Sequence, residues 1–278
     1  PWVGVVTHAG PAHLEGFGSV AAVADCKGEL FEELPARGYA IVNADDPYAA
    51  VWEQKAAHCH IKRFSLDGHA ADVTGVERAD GRLEIRFEDA AITAAVALPG
   101  RHNRANALAA AAAARAAGAS LEAIADGLMA VAPVAGRLQY RDGLASMTLV
   151  DDSYNANPAS LTAALETLTA TGTPLWLVLG DMAELGDAGP ALHRRAGEQA
   201  RELGVERLFA TGPLAAHAAE GFGAGGAGFA TRAELVEAVK TAARPGINVL
   251  VKGSRSAAMD EVVAALAAGG SGEGRACS

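Results

Sequence analysis

The chain has 278 residues, enough for roughly two domains, and half of them are hydrophobic, so it can bury sizeable cores. Its formal charge of −10 argues against a general binder of nucleic acid or of anionic membranes. The three scattered cysteines, Cys26, Cys59 and Cys277, predict neither a disulfide framework nor a metal site, and they suit the reducing cytoplasm. No apolar stretch is long enough to span a bilayer, so membrane insertion is not expected.

The first half of the chain mixes strand and helix patterns. Strand-like runs over residues 2–7 and 40–43 flank a helical pattern over residues 20–34, and short β-like runs separated by turn residues follow from 61 to 98. A strong helical pattern covers residues 103–117, and Ser120 is predicted to cap a further helix that runs to about Met129.

The second half alternates strands and helices more regularly. Strands are predicted over residues 147–150, 175–179, 207–210 and 248–251, and helices over residues 158–168, 191–203, 232–242 and 257–266. This order predicts an α/β fold with a parallel sheet covered by helices on both faces, as in a Rossmann-like, doubly wound domain. We place the domain boundary between residues 133 and 134, and we expect the Gly/Ser-rich tail 269–278 to fray.

Two segments of the first half carry chemically useful side chains. Residues 7–19 follow a predicted strand, and ligands of open α/β sheets gather at such strand ends. His13 in this segment could bind a metal or a phosphate, although a surface histidine is the more common explanation of an isolated one. Lys27 lies on the next predicted helix, where a solvated lysine is equally ordinary.

Asn103 and Asn106 lie near the start of a predicted helix, after a Pro-Gly turn. Asn103 could simply be the N-cap of that helix. The two amides are three residues apart and could share one helix face. Each offers a donor beside an acceptor, which suits the edge of a purine.

Three segments of the second half each follow a predicted strand: residues 150–158, 180–186 and 252–256. The first is denser in polar side chains than a structural turn needs, which favours a functional role. Lys252 and Arg255 in the last segment would bring positive charge to an edge rich in carboxylates, although a surface salt bridge would also explain Arg255. The residues alone therefore predict a small-molecule enzyme with its site between two domains.

Taken together, these segments resemble the Mur ligases. The resemblance extends in order from about Thr7 to Val263, and four motifs carry it: AHLEGFGS over residues 12–19, DDSYNAN over 151–157, GDMAELG over 180–186 and VKGSRS over 251–256. It implies a central ATP-binding domain, present in part as residues 1–133, and a Rossmann-like ligase domain as residues 134–278. Within the family, the motifs are most similar to the branch that adds D-alanyl-D-alanine to UDP-N-acetylmuramoyl-tripeptide during peptidoglycan synthesis.

The resemblance also implies roles for individual residues. His13 matches a ligand of Mg²⁺, and Lys27 matches a lysine that family members carbamylate so that it helps to hold that ion. Asn103 and Asn106 match residues on the adenine side of ATP, and Arg137 and Asp152 match positions that reach the nucleotide. The remaining matches lie near the incoming dipeptide or the transferred phosphoryl group: Tyr154, Asn155, Asn157, Lys252 and Arg255. Lys252 is assigned to catalysis together with His13 and Lys27.

The sequence departs from the family pattern at two points. His8 stands where the family usually has Asn, and no Gly-x-x-x-x-Gly-Lys-Ser/Thr motif occurs in the 278 residues. Because that motif cradles the phosphates of ATP, we expect an N-terminal part to be missing and this chain alone to be inactive. The full-length enzyme is expected to be a monomer.

Two other functions remain open. The chain could be a non-catalytic module, derived from the family, that binds a nucleotide or a protein partner. The retained His13, Lys27 and Asp152 argue against this, because a binding module has no need of a carbamylated lysine. A ligase of another branch, such as a folate polyglutamate synthase, fits the motifs over residues 151–157 and 180–186 less well.

Overall fold

The structure, a computed structural model, describes residues 1–11 and 14–268. The chain divides into two compact units, the first made of Pro1–Gly10 with Phe17–Ala132, and the second of Pro11–Gly16 with the chain from Pro133 onward. His13 and the tail 269–278 lie outside the described residues. The assignment of residues 1–133 and 134–278 as ATP-binding and ligase domains stays a prediction.

The first unit is built on a six-stranded sheet. Its strands are Val3–Val6 (β1), Tyr39–Asn43 (β2), His60–Ser65 (β3), Val73–Glu77 (β4), Leu83–Arg86 (β5) and Ala91–Ala94 (β6). They are ordered β1-β2-β3-β4-β5-β6, with parallel pairing as far as β4 and antiparallel pairing after it. The helices of this half of the chain are Leu14–Phe17 (α1), Val20–Glu32 (α2), Ala49–Lys55 (α3), Arg101–Ala116 (α4) and Leu121–Met129 (α5).

Both faces of this sheet are covered. Successive side chains of a strand point to opposite faces, so Ile41 of β2 packs with Leu108 of α4 and Ile124 of α5, while the neighbouring Val42 packs with Phe31 of α2 and Trp52 of α3. The covered β1 and β2 read as apolar runs for this reason, whereas β3 also carries His60, Lys62 and Arg63. Polar residues lie at or just after the carboxyl ends of these strands.

The start of α4 differs from the predicted one. Gly100 occupies the cap position with φ of 97°, a conformation that favours glycine, and the helix begins at Arg101. Asn103 therefore lies in the first turn, and the suggestion that it caps the helix is wrong. The predicted cap Ser120 is confirmed, because its hydroxyl oxygen accepts a hydrogen bond from the Ala123 amide at 3.1 Å.

The second unit contains a sheet ordered β11-β10-β9-β12-β8-β7, in which only β7 is antiparallel. Its strands are Gln139–Asp142 (β7), Thr148–Asp152 (β8), Leu175–Gly180 (β9), Arg207–Thr211 (β10), Gly226–Phe229 (β11) and Asn248–Lys252 (β12). Its helices are Pro158–Thr169 (α6), Gly189–Glu202 (α7), Ala215–Phe222 (α8), Arg232–Ala242 (α9) and Met259–Leu266 (α10).

Two apolar cores lie on opposite faces of this second sheet. On one face, side chains such as Leu177 and Leu179 pack against α6, α7 and α8. On the other face, Trp176 and Val178 pack against α9 and α10. The α/β class and the doubly wound second unit are therefore confirmed. Of the helices among the described residues, none is long and apolar enough to cross a membrane.

Helices α7 and α8 approach each other through glycine. A Cβ atom on Gly197 of α7 would collide with the carbonyl oxygen of Ala218 in α8, and one on Gly221 of α8 would collide with the carbonyl oxygen of Arg194. The backbones are thus in direct contact. Neither helix can accept even a methyl group at this crossing without moving.

We predict that Gly197→Ala lowers the free energy of unfolding by about 1–3 kcal/mol, because overpacking forces the two helices apart. The matched control is Gly189→Ala in the same helix, where the new methyl would meet Leu214 at an ordinary contact distance of 3.4 Å. Urea unfolding followed by circular dichroism measures both. Equal stability of the two variants would contradict the direct backbone contact.

Candidate functional site

Polar groups hold the carboxyl ends of β1 and β2 together in the first unit. The Asn43 side-chain amide donates a hydrogen bond to the Thr7 carbonyl oxygen at 2.7 Å. The buried Asp46 carboxylate accepts hydrogen bonds from the backbone amides of Ala9 and Tyr48, both at 2.9 Å. The segment that follows β1 is therefore fixed against the turn that follows β2.

Lys27 of α2 reaches this same strand end. Its ammonium group donates a hydrogen bond to the carbonyl oxygen of His8 at 2.8 Å, while the side chain remains exposed. The structure thus brings the predicted site residue Lys27 into contact with His8, which stands where the family usually has Asn. Desolvation and the charge of Lys27 lower the pKa of the His8 ring, and Asp46 opposes them, so this imidazole is neutral at physiological pH.

The chemistry of these donors bears on a magnesium site. Among residues 1–11 and 14–268, no group of three or more His, Cys, Asp or Glu side chains could hold a metal ion. Mg²⁺ prefers oxygen ligands, and a free Lys27 ammonium would repel it. A carboxylate on Lys27, as a carbamate would provide, would replace that positive charge by oxygen donors suited to Mg²⁺.

The predicted adenine-side residues lie on α4. The Asn103 amide donates to the carbonyl oxygen of Pro99 at 2.7 Å, so its donor already has a partner. Asn106 is exposed, and its side chain makes no hydrogen bond to any part of the chain that the structure describes. The Arg101 guanidinium forms an ion pair with Asp67, which ties the start of α4 to the turn after β3.

That turn is organised by Asp45, to which no role was assigned from the sequence. Its carboxylate accepts hydrogen bonds from the Ser65 hydroxyl, from the His69 ring at 2.9 Å and from the Leu66 amide at 2.7 Å. Burial alone would raise the pKa of Asp45, but these hydrogen bonds lower it overall. Asp45 and Asp46 are adjacent and follow a buried strand, and this pattern was the sequence signal from which their role could have been predicted.

The second unit gathers its candidate residues at the carboxyl ends of β8 and β12. Lys252 and Asp152 are register partners on these neighbouring strands. The buried Lys252 ammonium forms an ion pair with the Asp152 carboxylate and donates to the Asn155 carbonyl oxygen at 3.0 Å. Burial lowers the pKa of Lys252, and the negative charge of Asp152 opposes that shift.

Asp152 and the residues that follow it also hold the segment that precedes β7. The second oxygen of Asp152 accepts a hydrogen bond from the Leu138 amide at 3.2 Å, and the Tyr154 amide donates to the Gly136 carbonyl oxygen at 3.0 Å. The Arg137 guanidinium lies over the Tyr154 ring, 4.4 Å from its centroid. Arg137, Asp152 and Tyr154 are therefore brought together, with the cation and the ring exposed at the surface.

The remaining predicted residues of this unit have other contacts. Asn157 forms a capping box with Ser160 at the start of α6, which gives its side chain a structural task. Arg255 is exposed, and its guanidinium lies 3.9 Å from the Asp260 carboxylate. Lys252 is enclosed by its partners. The functional roles assigned to these three residues stay predictions.

A cavity of about 600 Å³ opens at the carboxyl ends of β9, β10 and β11, and the sequence analysis did not identify it. Its lining includes Asp181, Thr211, Arg232, Ser256 and Glu261. These residues come from separate loops and helices, so no single sequence motif marks the cavity. In an open α/β sheet this edge is the usual place for a ligand.

Comparison with known families identifies both units. Residues 1–114 match the Mur ligase middle domain, and residues 136–255 match the family described as Mur ligase, glutamate ligase domain. The chain belongs to the Mur ligase family. The resemblance to this family that the motifs indicate is thereby confirmed.

Individual relatives agree with this assignment. The UDP-N-acetylmuramoyl-tripeptide–D-alanyl-D-alanine ligase of Escherichia coli K12 is 41% identical over 272 residues, which cover 96% of this chain and 60% of that protein. The ligase of the same name from Mycobacterium tuberculosis H37Rv is 36% identical over 299 residues, covering 96% and 58%. A crystal structure of MurF from Acinetobacter baumannii superposes with a TM-score of 0.86 at 30% identity, covering 95% and 59%. The chain thus spans about 60% of the length of these relatives.

We predict that Asp46→Ala lowers the free energy of unfolding by about 1–3 kcal/mol, because the partly buried amides of Ala9 and Tyr48 lose their acceptor. Hydrogen exchange of the Ala9 amide should accelerate at the same time. Asp126→Ala is the matched control, since Asp126 is exposed on α5. Unchanged exchange at Ala9 would contradict the role given to Asp46.

Proposed function

We propose that this chain is part of a cytoplasmic, ATP-dependent amide ligase that adds D-alanyl-D-alanine to UDP-N-acetylmuramoyl-tripeptide in peptidoglycan precursor synthesis, acting as a monomer. The observation that carries the proposal is the convergence of Arg137, Asp152, Tyr154 and Lys252 at one sheet edge. This occurs in a chain 41% identical to an E. coli ligase of that name.

The reaction that we propose has two steps. A terminal carboxylate oxygen of the tripeptide attacks the γ-phosphorus of ATP, which forms an acyl phosphate and releases ADP. The free amine of the dipeptide then attacks the acyl carbon and loses a proton, and the tetrahedral intermediate expels inorganic phosphate. Catalysis of such a transfer depends mainly on positioning and on neutralising charge.

The first unit supplies the groups that we assign to ATP. Asn106 presents a free amide at the start of α4, where a purine edge could pair with it. Lys27 is exposed, so carbon dioxide can reach its amine once that amine has lost a proton. The resulting carbamate would offer oxygen ligands to Mg²⁺, which when bound would neutralise phosphate charge.

The second unit supplies groups for the nucleotide and for the dipeptide. The stacked Arg137 and Tyr154 offer an exposed cation beside a flat ring. The cavity of about 600 Å³ is large enough for a dipeptide. Arg232 in its lining is paired with Glu261, and we propose that it exchanges this partner for the carboxylate end of the dipeptide. We therefore assign the incoming D-alanyl-D-alanine to this cavity.

The test is phosphate release and amide formation with ATP, Mg²⁺, the UDP-linked tripeptide and D-alanyl-D-alanine. We expect no turnover from this chain alone, because its 278 residues contain no phosphate-binding loop motif. A chimera in which the chain replaces the matched region of the E. coli relative should be active. In that chimera, Lys27→Ala should lower kcat by about 100-fold or more, and short carboxylic acids should restore part of it.

Each outcome of this assay separates the alternatives. Turnover by the chain alone would contradict the need for a phosphate loop. A folded chimera that binds ATP but forms no amide would favour the non-catalytic module. An active Lys27→Ala chimera that does not respond to added carboxylic acids would refute the carbamate.

A further inference from the structure

The motif over residues 180–186 contains no residue with an assigned role, yet a buried histidine holds it in place. His193 of α7 is fully buried. The backbone amide of Met182 donates a hydrogen bond to its Nε2 at 2.9 Å. Its Nδ1 lies 2.7 Å from the carbonyl oxygen of Gly189.

These two contacts determine the protonation of the ring. Nε2 accepts a hydrogen bond from an amide and must present a lone pair, so it carries no proton. Nδ1 faces a carbonyl oxygen and must donate, so it carries the single proton of a neutral imidazole. An imidazolium would direct a second N–H at the Met182 amide, and the bond would be lost.

The segment held by His193 supports the wall of the cavity. The carboxylate of Asp181, next to Met182, accepts hydrogen bonds from the amides of Leu214 at 3.0 Å and Ala215 at 2.7 Å at the start of α8. The Asp181 carbonyl oxygen accepts a bond from the Ser254 amide at 2.9 Å. Asp181 therefore joins the ends of β9, β10 and β12 around the cavity.

The packing around Asp181 leaves it little freedom. Gly212 has φ of 113°, and a Cβ atom there would collide with the Asp181 carboxylate. A shift of the backbone at Asp181 and Met182 would therefore move the start of α8 and the turn that contains Ser256. Both border the cavity, because Gly212 and Ser256 belong to its lining.

We propose that His193 is a positioning residue for this cavity: as the neutral Nδ1–H tautomer it fixes Met182 and, through Asp181, the cavity wall, and gain of a proton releases that wall. The proposal rests on the proposed function only in taking the cavity ligand to be D-alanyl-D-alanine. The contacts of His193 are independent of that choice.

Charged groups on the neighbouring elements act on His193 in opposite directions. Desolvation lowers its pKa, its hydrogen bond to Gly189 and the charge of Asp181 raise it, and His217 of α8 lowers it. Asp187, before α7, is exposed, and Arg194 is paired with Glu220. Because the folded pKa lies below the unfolded value of 6.5, the stability contributed by neutral His193 is present above that pH and is lost as the pH falls below it.

The first test uses the 278-residue chain and needs no activity. Nitrogen-15 NMR of the His193 ring should report the Nδ1–H tautomer at neutral pH. Hydrogen exchange at the Met182 amide, corrected for its intrinsic pH dependence, should accelerate up to about tenfold between about pH 7.5 and about pH 5.5, because the ring gains a proton when the segment opens and its pKa returns toward 6.5. An Nε2–H tautomer, or pH-independent exchange, would overturn the proposal.

Three variants separate positioning from packing. His193→Gln keeps an acceptor for Met182 but cannot titrate, so protection should persist at both pH values. His193→Leu should lose protection at both. The control His60→Gln, on β3 of the first unit, removes an exposed titratable ring that does not act on His193, so it should keep the pH dependence of the wild type. If the leucine variant fails to fold, the glutamine variant alone decides, and a persisting pH dependence in it would refute the proposal.

The second test measures the link to the substrate in the active chimera. His193→Leu should raise KM for D-alanyl-D-alanine about tenfold or more, with little change in KM for ATP. If the NMR and exchange results hold while KM for the dipeptide is unchanged, the dipeptide does not occupy this cavity. That outcome would contradict this part of the proposed function and leave the His193 tautomer established.

Discussion

The second unit depends on one buried ion pair. Lys252 and Asp152 lie at the carboxyl ends of adjacent parallel strands, where burial removes the water that would otherwise solvate their charges. Each therefore needs the other, because an unpaired buried charge is strongly unfavourable. Asp152 also accepts a hydrogen bond from the Leu138 amide, just before β7, and Lys252 donates one to the Asn155 carbonyl oxygen, just after β8, so both segments are fixed by this pair. The exposed Arg137 and Tyr154 owe their position to this arrangement.

A comparable arrangement organises the other strand ends. Asp46 holds the segment after β1, Asp45 holds the turn after β3, and Asp181 joins three elements after β9. In each case a carboxylate accepts hydrogen bonds from backbone amides that a loop would otherwise leave without a partner. The Asp152–Lys252 pair acts in a similar way beside the loop after β8, which presents Tyr154. Some residues of the family motifs, such as Asp181, therefore determine the geometry of the loops.

The sequence predicted the regular elements best where local signals agreed. Helix α9 matches its predicted bounds because Thr231 and Glu234 form a capping box ahead of an apolar pattern. Strand β11, with the sequence GAGF, has no strand signal of its own, and its conformation depends on pairing with β10. Helix α8 was missed because its short alanine-rich pattern is weak, and it is stabilised by packing on α7.

The candidate site was predictable in part for the same reason. Asp152 and Lys252 were predicted as site residues because they lie at the ends of predicted strands. The parallel register of β8 and β12 then places them in contact. The tasks of Asn157 and His193 were not predictable, because a capping box and a buried tautomer depend on neighbours that only the fold supplies. The cavity is lined by residues that are far apart in the chain, such as Asp181 and Glu261, so its existence depends on the tertiary structure.

A double-mutant cycle on Asp152 and Lys252 tests the account most directly. Urea unfolding of the wild type, Asp152→Asn, Lys252→Met and the double variant gives the coupling free energy between the two side chains. Each single change should lower the free energy of unfolding by about 3–5 kcal/mol, because it leaves one buried charge without a partner. The double variant should lose much less than the sum, with a coupling of about 2–3 kcal/mol. Additive losses would contradict the claim that this pair organises the strand ends of the second unit.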